Sequence, residues 1–336
     1  MGLIAFWKTS LTFLVAATLS SFAHAQFIPS LNWQSKHGSD NPLIGRLFDG
    51  NGSPATWQDL VAQATSAKYL LLGEIHDNPD HHQIQATILQ ELIDAGRRPT
   101  LVWEMVPQRL AIEANSYDLS ADPKLQDYAR RLEWEERGWY TWDIYRPIAL
   151  VAARAGLTMT AGNLDRTVTR ALSKNGIDVL TAEQQADFAL RHSLPVEIQK
   201  QLYVDLQQSH CNLMPERALP AMANVQRARD GAMANAMLQS GEGDGEDGAV
   251  LIAGNGHVRK DRAVPFVLGY TLSGTSKSVS VGLVEVSPEL SNFDDYQLAV
   301  NGTQLYDFVI FTPQYDNSDH CAALRQRFEQ TKKKQP

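Results

Sequence analysis

The chain reads as an α/β protein: a mostly parallel central sheet flanked by helices, with a smaller all-helical subdomain inserted. Three observations predict it. Short apolar runs suited to buried strands alternate with stretches of helical periodicity. Four of those runs end in polar loops rich in Gly, Asn, Glu and His. About 85 residues separate the third run from the fourth, far more than a βα unit needs.

Lys68 to Gly73 (KYLLLG) is the first run. Asn78-Pro79 then reads as an N-cap and first helical position. Ile84, Ile88, Leu89 and Leu92 recur at helical spacing, and Gly96 stops the helix. Thr100 to Glu104 (TLVWE) is the next strand, and such a β-α-β crossover requires parallel strands. Pro147 to Ala155 reads as a helix before the strand Leu157 to Asn163. Thr181 to His210 reads as helices broken near Pro195, the heart of an insert placed at about residues 171–240. The helix Ala218 to Leu238 leads into the strand Ala249 to His257, and Ser278 to Val286 with Tyr306 to Pro313 completes the sheet. The carboxyl ends of these strands carry Glu74 and His76, Glu104, Asn163, and Asn255 with His257. Ligands of parallel sheets sit at that edge, so four separate loops are expected to form one site.

The first 25 residues are not read as fold. Lys8, the apolar run Leu11 to Leu19 and the Ala23-His24-Ala25 site have the layout of a cleavable signal peptide. The run is too short to span a bilayer, and no cysteine stands near the cleavage site to carry a lipid. A periplasmic product is expected, with the main domain over residues 26–315, a tail over 316–336, and no transmembrane segment. Removing Lys8 takes the net charge from −8 to −9, which argues against a nucleic-acid partner. The two cysteines, Cys211 and Cys321, suit one disulfide in an oxidising compartment.

Glu74 and His76 flank one residue, so on an extended strand end both side chains point the same way. That pair suits acid/base work or metal binding, although His76 and Asp77 can also be simple helix-start residues. His81 and His82 are adjacent in the helix, point about 100° apart, and cannot both face one ligand, so a solvated or supporting role is expected for one of them. Glu104 is a charge after an apolar strand and needs partners. Glu74, His76, Glu104 and His257 together offer a divalent-cation set, without any standard zinc spacing. The aromatic stretch Gly138 to Ala149 (GWYTWDIYRPIA) has the composition of a core filler. Tyr145 is read differently: placed just before Arg146-Pro147 at a helix start, it is expected to point out of the core as a hard oxygen ligand for ferric iron.

Taken together, LLGEIHDNPDHHQIQ, WEMV, WDIYRPIALVAARAG with AGNLDR, QRARDGAMA and AGNGHVRKDRAVP resemble, in that order over roughly residues 40–290, the ChaN family of haem-binding, iron-regulated proteins. The wider superfamily includes the Tiki and TraB proteins and is related to erythromycin esterase. Gly73-x-x-His76 and Gly254-x-x-His257 look like the paired G-x-x-H motifs of the Tiki/TraB branch. The resemblance implies a homodimer holding two haems face to face, each iron bound by a tyrosine, with basic and histidine side chains at the propionates. Tyr145 matches the W-x-x-Y-x-P stretch, with Tyr140 as fallback; Arg146, His257, Arg259, Lys260 and His76 have the chemistry for the propionates. The missing lipobox cysteine departs from the family's lipoproteins. Two functions are thus expected: capture of ferric haem in the periplasm for iron acquisition, with a haem transport system as a further partner, or a metal-dependent hydrolase built on Glu74, His76, Glu104 and His257. The motif set as a whole favours haem.

Mass spectrometry of the exported protein is expected to find Gln26 at its N-terminus; a full-length chain in the membrane fraction would contradict the leader.

Overall fold

All six residues of Tyr69–Glu74 are buried, and a strand's period of two sorts them between two layers. Leu70 and Leu72 join a core with Leu60, Leu89 and Ile148; Tyr69 and Leu71 join a second with Met233, Met237 and Val267. Burial on both faces explains why the strand is continuously apolar rather than alternating. Each buried leucine contributes about 1.5–3 kcal/mol.

The computed structural model describes residues 32–240, 247–272 and 278–333; the segment expected as a leader, most of the acidic glycine-rich loop and the last three residues lie outside them. In chain order the elements begin with β1 (Leu47–Asp49), α1 (Trp57–Ser66), β2 (Tyr69–Glu74), α2 (Pro79–Asp94), β3 (Thr100–Pro107), α3 (Ala111–Ala114), α4 (Gln126–Arg131), α5 (Trp142–Arg154) and β4 (Met159–Asn163). The helices α6 (Arg166–Asn175), α7 (Ala182–Asp187), α8 (Val196–Ser209) and α9 (Leu219–Gln239) follow. The chain continues with β5 (Ala249–Gly254), α10 (Val264–Thr271), β6 (Ser278–Glu285), β7 (Ala299–Val300), β8 (Thr303–Gln304), β9 (Phe308–Thr312) and α11 (His320–Lys333).

Seven strands form one sheet in the order β1-β9-β6-β2-β5-β3-β4, parallel except for β1 on β9. The expected parallel α/β fold is therefore the observed one. The chain runs outward from β2 to β3 and β4, returns to place β5 between β2 and β3, then crosses β2 to reach β6. Such a reversal opens a crevice at the carboxyl ends of the central strands. Registers bring Glu74 opposite Gly254, so the loops after β2 and β5 leave the sheet side by side.

Helices α1, α2 and α5 cover one face, and α9 with α10 the other. One face of α9 (Met233, Ala234, Met237) packs on the sheet, while its Ala223, Ala228 and Ala232 receive Leu172, Phe188, Ile198 and Leu202 from the α6–α8 segment. A Cβ at Gly231 would come within 2.2 Å of Phe188, so this contact requires glycine.

Two sequence expectations change. Helix α5 starts at Trp142, five residues before the expected Pro147, and carries that proline inside. Trp142, Tyr145, Ile148, Ala149 and Ala152 form one buried stripe, and packing that stripe outweighs the hydrogen bond Pro147 cannot donate. Tyr145 is thus within the helix and inside the core, not pointing out of it. The segment expected as a tail contains α11, tied to the end of α8 by a Cys211–Cys321 disulfide with 5.5 Å between Cα atoms. Thiol titration of denatured, unreduced protein is expected to find no free thiol. Cys321→Ser is expected to lower the free energy of unfolding by ~2–4 kcal/mol in denaturant titrations.

Candidate functional site

Glu74 follows Leu70 and Leu72 on the row facing α2 and α5, so its carboxylate ends inside that layer rather than in water. Its partners come from those helices. The Tyr145 phenol of α5 donates to Oε1 at 2.9 Å, and His76 Nδ1 lies 2.7 Å from the same oxygen. His82 of α2 places Nε2 at 3.0 Å from Oε2, an ion-pair distance, and stacks its ring on Tyr145 with centroids 3.9 Å apart. Burial works against ionisation of Glu74, but His82 and His76 outweigh it and hold the carboxyl far below its usual range.

Glu104 follows Val102 on the opposite row, towards α9. Its Oε2 accepts the Gly254 N–H at 2.7 Å and its Oε1 accepts from Arg229 at 2.5 Å. His257 Nε2 stands 3.4 Å from Oε1 and His76 Nε2 3.8 Å from Oε2. Burial opposes the charge of Glu104, and His257, His76 and Arg229 overcome it. His257 sits on the single turn Asn255–His257 after β5, with Nδ1 2.6 Å from Asp230 of α9. Burial would lower its pKa, yet Glu104 and Asp230 raise it.

His76 joins the two carboxylates across the sheet edge. Its side chain is 30% exposed, against 6% or less for Glu74, Glu104 and His257, so it is the member a ligand can reach. Burial opposes protonation, but Glu104 and Glu74 raise its pKa to about 9. The half-buried Trp139 meets the His76 ring edge to face, with centroids 5.1 Å apart. A cavity of about 280 Å³ opens over His76, Glu104, His257, Gln226 and Arg229.

Gly73 makes this assembly possible. Asn255 reaches across β2 to bond both the carbonyl and the N–H of Leu283 in β6. A Cβ at Gly73 would lie 2.2 Å from Asn255 Oδ1 and 2.8 Å from Val258. The neighbouring loop is fixed by Asn78, which caps α2 through Asp80 N–H and His81 N–H.

The structure thus brings Glu74, His76, Glu104 and His257 together as expected. Among the described residues, the one group of three or more His, Cys, Asp or Glu donors within 4.8 Å of one another is Cys211, His320 and Cys321, and its two sulfurs form the disulfide. Neither His81 nor His82 is solvated; both are fully buried. Tyr145 lies in the cluster but is sealed, and burial together with Glu74 pushes its pKa well above the usual value. Tyr140 is 51% exposed. Of the expected propionate partners, Arg259 is neutralised by Asp261 and Asp205, Lys260 by Asp307 and His257 by Asp230, while Arg146 pairs with the exposed Asp143 through Nη1 alone, at 2.6 Å. Sequence reasoning assigned no role to Arg229 or Asp230. Their signal was the run of three charges, Arg227, Arg229 and Asp230, in the middle of the alanine-rich α9, where a buried charge is costly unless partnered.

Comparison with known proteins agrees with this architecture. The family described as "Haem-binding uptake, Tiki superfamily, ChaN" matches residues 60–268. No curated protein matches. Among solved structures, "Cofacial heme binding to ChaN of Campylobacter jejuni" superposes with a TM-score of 0.59 at 18% identity, covering 78% of this chain and 94% of that one. An erythromycin esterase, EreC, in its open conformation has a TM-score of 0.41 at 12% identity, over 79% and 95% of the two chains. The type III effector HopBA1 has a TM-score of 0.41 at 14% identity, over 76% and 92%.

His81 generates a test of the site's electrostatics. Its Nδ1 accepts the Ile75 N–H at 2.8 Å and its Nε2 lies 2.7 Å from Thr312, an arrangement of the neutral ring. Burial, aided by His82, lowers its pKa from 6.5 to about 3. The unfolded chain binds that proton first, so the contribution of His81 is complete above pH 6.5 and is lost as pH falls towards 3. His76 has the opposite sign: its contribution is complete below 6.5 and is lost as pH rises through about 9. His81→Gln is expected to flatten the acid limb of the stability–pH curve by up to ~1.4 kcal/mol per pH unit and leave the alkaline limb unchanged.

Proposed function

This chain belongs to the ChaN family of haem-binding uptake proteins in the Tiki superfamily, and on that premise we propose that it captures ferric haem in the periplasm for iron acquisition, with Tyr140 as the iron ligand and a second copy of the chain covering the haem. One observation carries the assignment. Of the two tyrosines in the aromatic segment, Tyr145 is sealed with its proton committed to Glu74, whereas Tyr140 presents half its surface. Burial, Asp77 and Asp316 raise the Tyr140 pKa, and the two carboxylates stand on the loops following β2 and β9. Ile75 and Tyr315 are exposed on those same loops and supply apolar surface for a porphyrin face. Haem bound there supplies a ferric centre that favours a hard anionic oxygen, and the metal's charge replaces the phenol proton. His76 and Arg146, each 30% exposed, are the basic groups left to meet propionates. The disulfide supports an oxidising compartment, and delivery to a haem transport system follows from an uptake role.

A second reading, hydrolysis, has the convergence of His76, Glu104 and His257 over one cavity in its favour. A histidine oriented by a carboxylate through Nδ1, with Nε2 towards a cavity, has the geometry of an acid/base group. This form of the reading uses no metal.

Hemin titration is expected to give a phenolate-to-iron charge-transfer band that Tyr140→Phe abolishes, with affinity reduced about tenfold or more. Tyr145→Phe is expected to keep the band while losing ~1–3 kcal/mol of stability, because a buried carboxylate loses a donor. The reverse pattern would return the ligand role to Tyr145. Sedimentation should show hemin-promoted dimers. For hydrolysis, turnover of p-nitrophenyl acetate that disappears in His76→Ala supports the second reading, and no turnover by the wild type removes it.

A further inference from the structure

Across Trp139 from the acid–histidine cluster lies a second cavity, of about 540 Å³, that neither reading uses and that Tyr140 does not line. Its size is that of a small-molecule pocket. Trp139 lines it while touching His76, and Arg229 lines both this cavity and the one over His76.

Four arginines line it, and three of them keep a guanidinium nitrogen without a partner among the described residues. Arg137 is anchored by two backbone carbonyls, Nε on Leu132 at 3.0 Å and Nη1 on Met105; its remaining nitrogen, Nη2, is buried and has no partner. Arg229 is held through Nε by Asn163 at 3.1 Å and through Nη2 by Glu104, leaving Nη1. Arg166 is exposed and pairs with no acid among the described residues. Of the cavity's acids, Asp165 lies 3.6 Å from Arg109 and Glu136 is an exposed side chain, so neither forms an ion pair with Arg137, Arg166 or Arg229. A buried guanidinium N–H without an acceptor is costly, and a ligand oxygen offsets that cost once the Arg137 side chain turns Nη2, now without accessible surface, towards the cavity. Anchored, planar guanidinium groups favour carboxylate and phosphate oxygens, which they bind in pairs.

We propose that this cavity binds the oxyanion end of a small molecule, a carboxylate or a phosphate, among Arg137, Arg166 and Arg229, with the rest of the ligand against Trp139. A ligand so placed has its far side next to His76.

Isothermal titration of the mature protein at low ionic strength, with citrate and inorganic phosphate as separate probes, tests this. At least one probe is expected to bind saturably, and Arg166→Gln to weaken it about tenfold or more with an unchanged melting temperature, since that side chain makes no hydrogen bond in the fold. Arg137→Lys, which keeps the charge and loses the fork, is expected to weaken it too. A preference for citrate assigns the carboxylate, and a preference for phosphate the phosphoryl group. No saturation by either probe below ~10 mM, or equal affinity in either variant, overturns the proposal.

Discussion

Two carboxylates, Glu74 and Glu104, are each 2% exposed and ionised at the carboxyl edge of a sheet whose faces are both apolar. A bare charge in that position is far too costly to keep, and removing one partner of a buried pair typically costs ~3–5 kcal/mol. Much of the edge is arranged around that constraint. Tyr145, His76 and His82 converge on Glu74; Arg229, His257 and the Gly254 N–H converge on Glu104. Because adjacent strand rows face opposite layers, the two sets are built from different helices, α2 and α5 for one and α9 for the other. His76, between them, is the shared partner and the one with open access.

That division separates a closed interior from a reactive rim. The aromatic segment before and within α5 contributes to both. Trp142 and Tyr145 are packed under the sheet, where Tyr145 serves Glu74, while Trp139 and Tyr140 remain at the surface. Neutralising Glu74 therefore consumes the tyrosine whose place in the family pattern first pointed to iron, and leaves its neighbour free. The same economy governs the basic residues: Arg259, Lys260 and His257 are committed to carboxylates. Arg137, anchored only through backbone carbonyls, keeps a free donor.

The sheet topology decides where this chemistry sits. β5 lies between β2 and β3 although it follows both by more than 140 residues, so Gly254-Asn255-Gly256-His257 meets Gly73-Glu74-Ile75-His76 only after the chain has returned from the helical segment. Asn255 then bridges to β6 over Gly73, and the two glycine-histidine loops become one structure.

By itself the sequence determined six of the sheet's seven strands, their mostly parallel arrangement and the edge on which the polar loops gather, because apolar run length and helical period are local properties written directly in residue order. The three-residue antiparallel β1 and the two-residue β7 and β8 are too short to carry such a signal. It also marked Asn78 as a cap, Glu74, His76, Glu104 and His257 as neighbours, and the two cysteines as a pair. It could not determine which face of β2 holds Glu74 relative to α5, nor that Trp142 begins a helix running through Pro147. Those depend on packing energy summed over residues distant in sequence, which overrides local propensity. The fate of each charge was decided the same way. Tyr145 and Tyr140 are the same side chain five residues apart; only the tertiary fold, by placing a buried carboxylate 2.9 Å from one phenol and leaving the other at the surface, made them different groups.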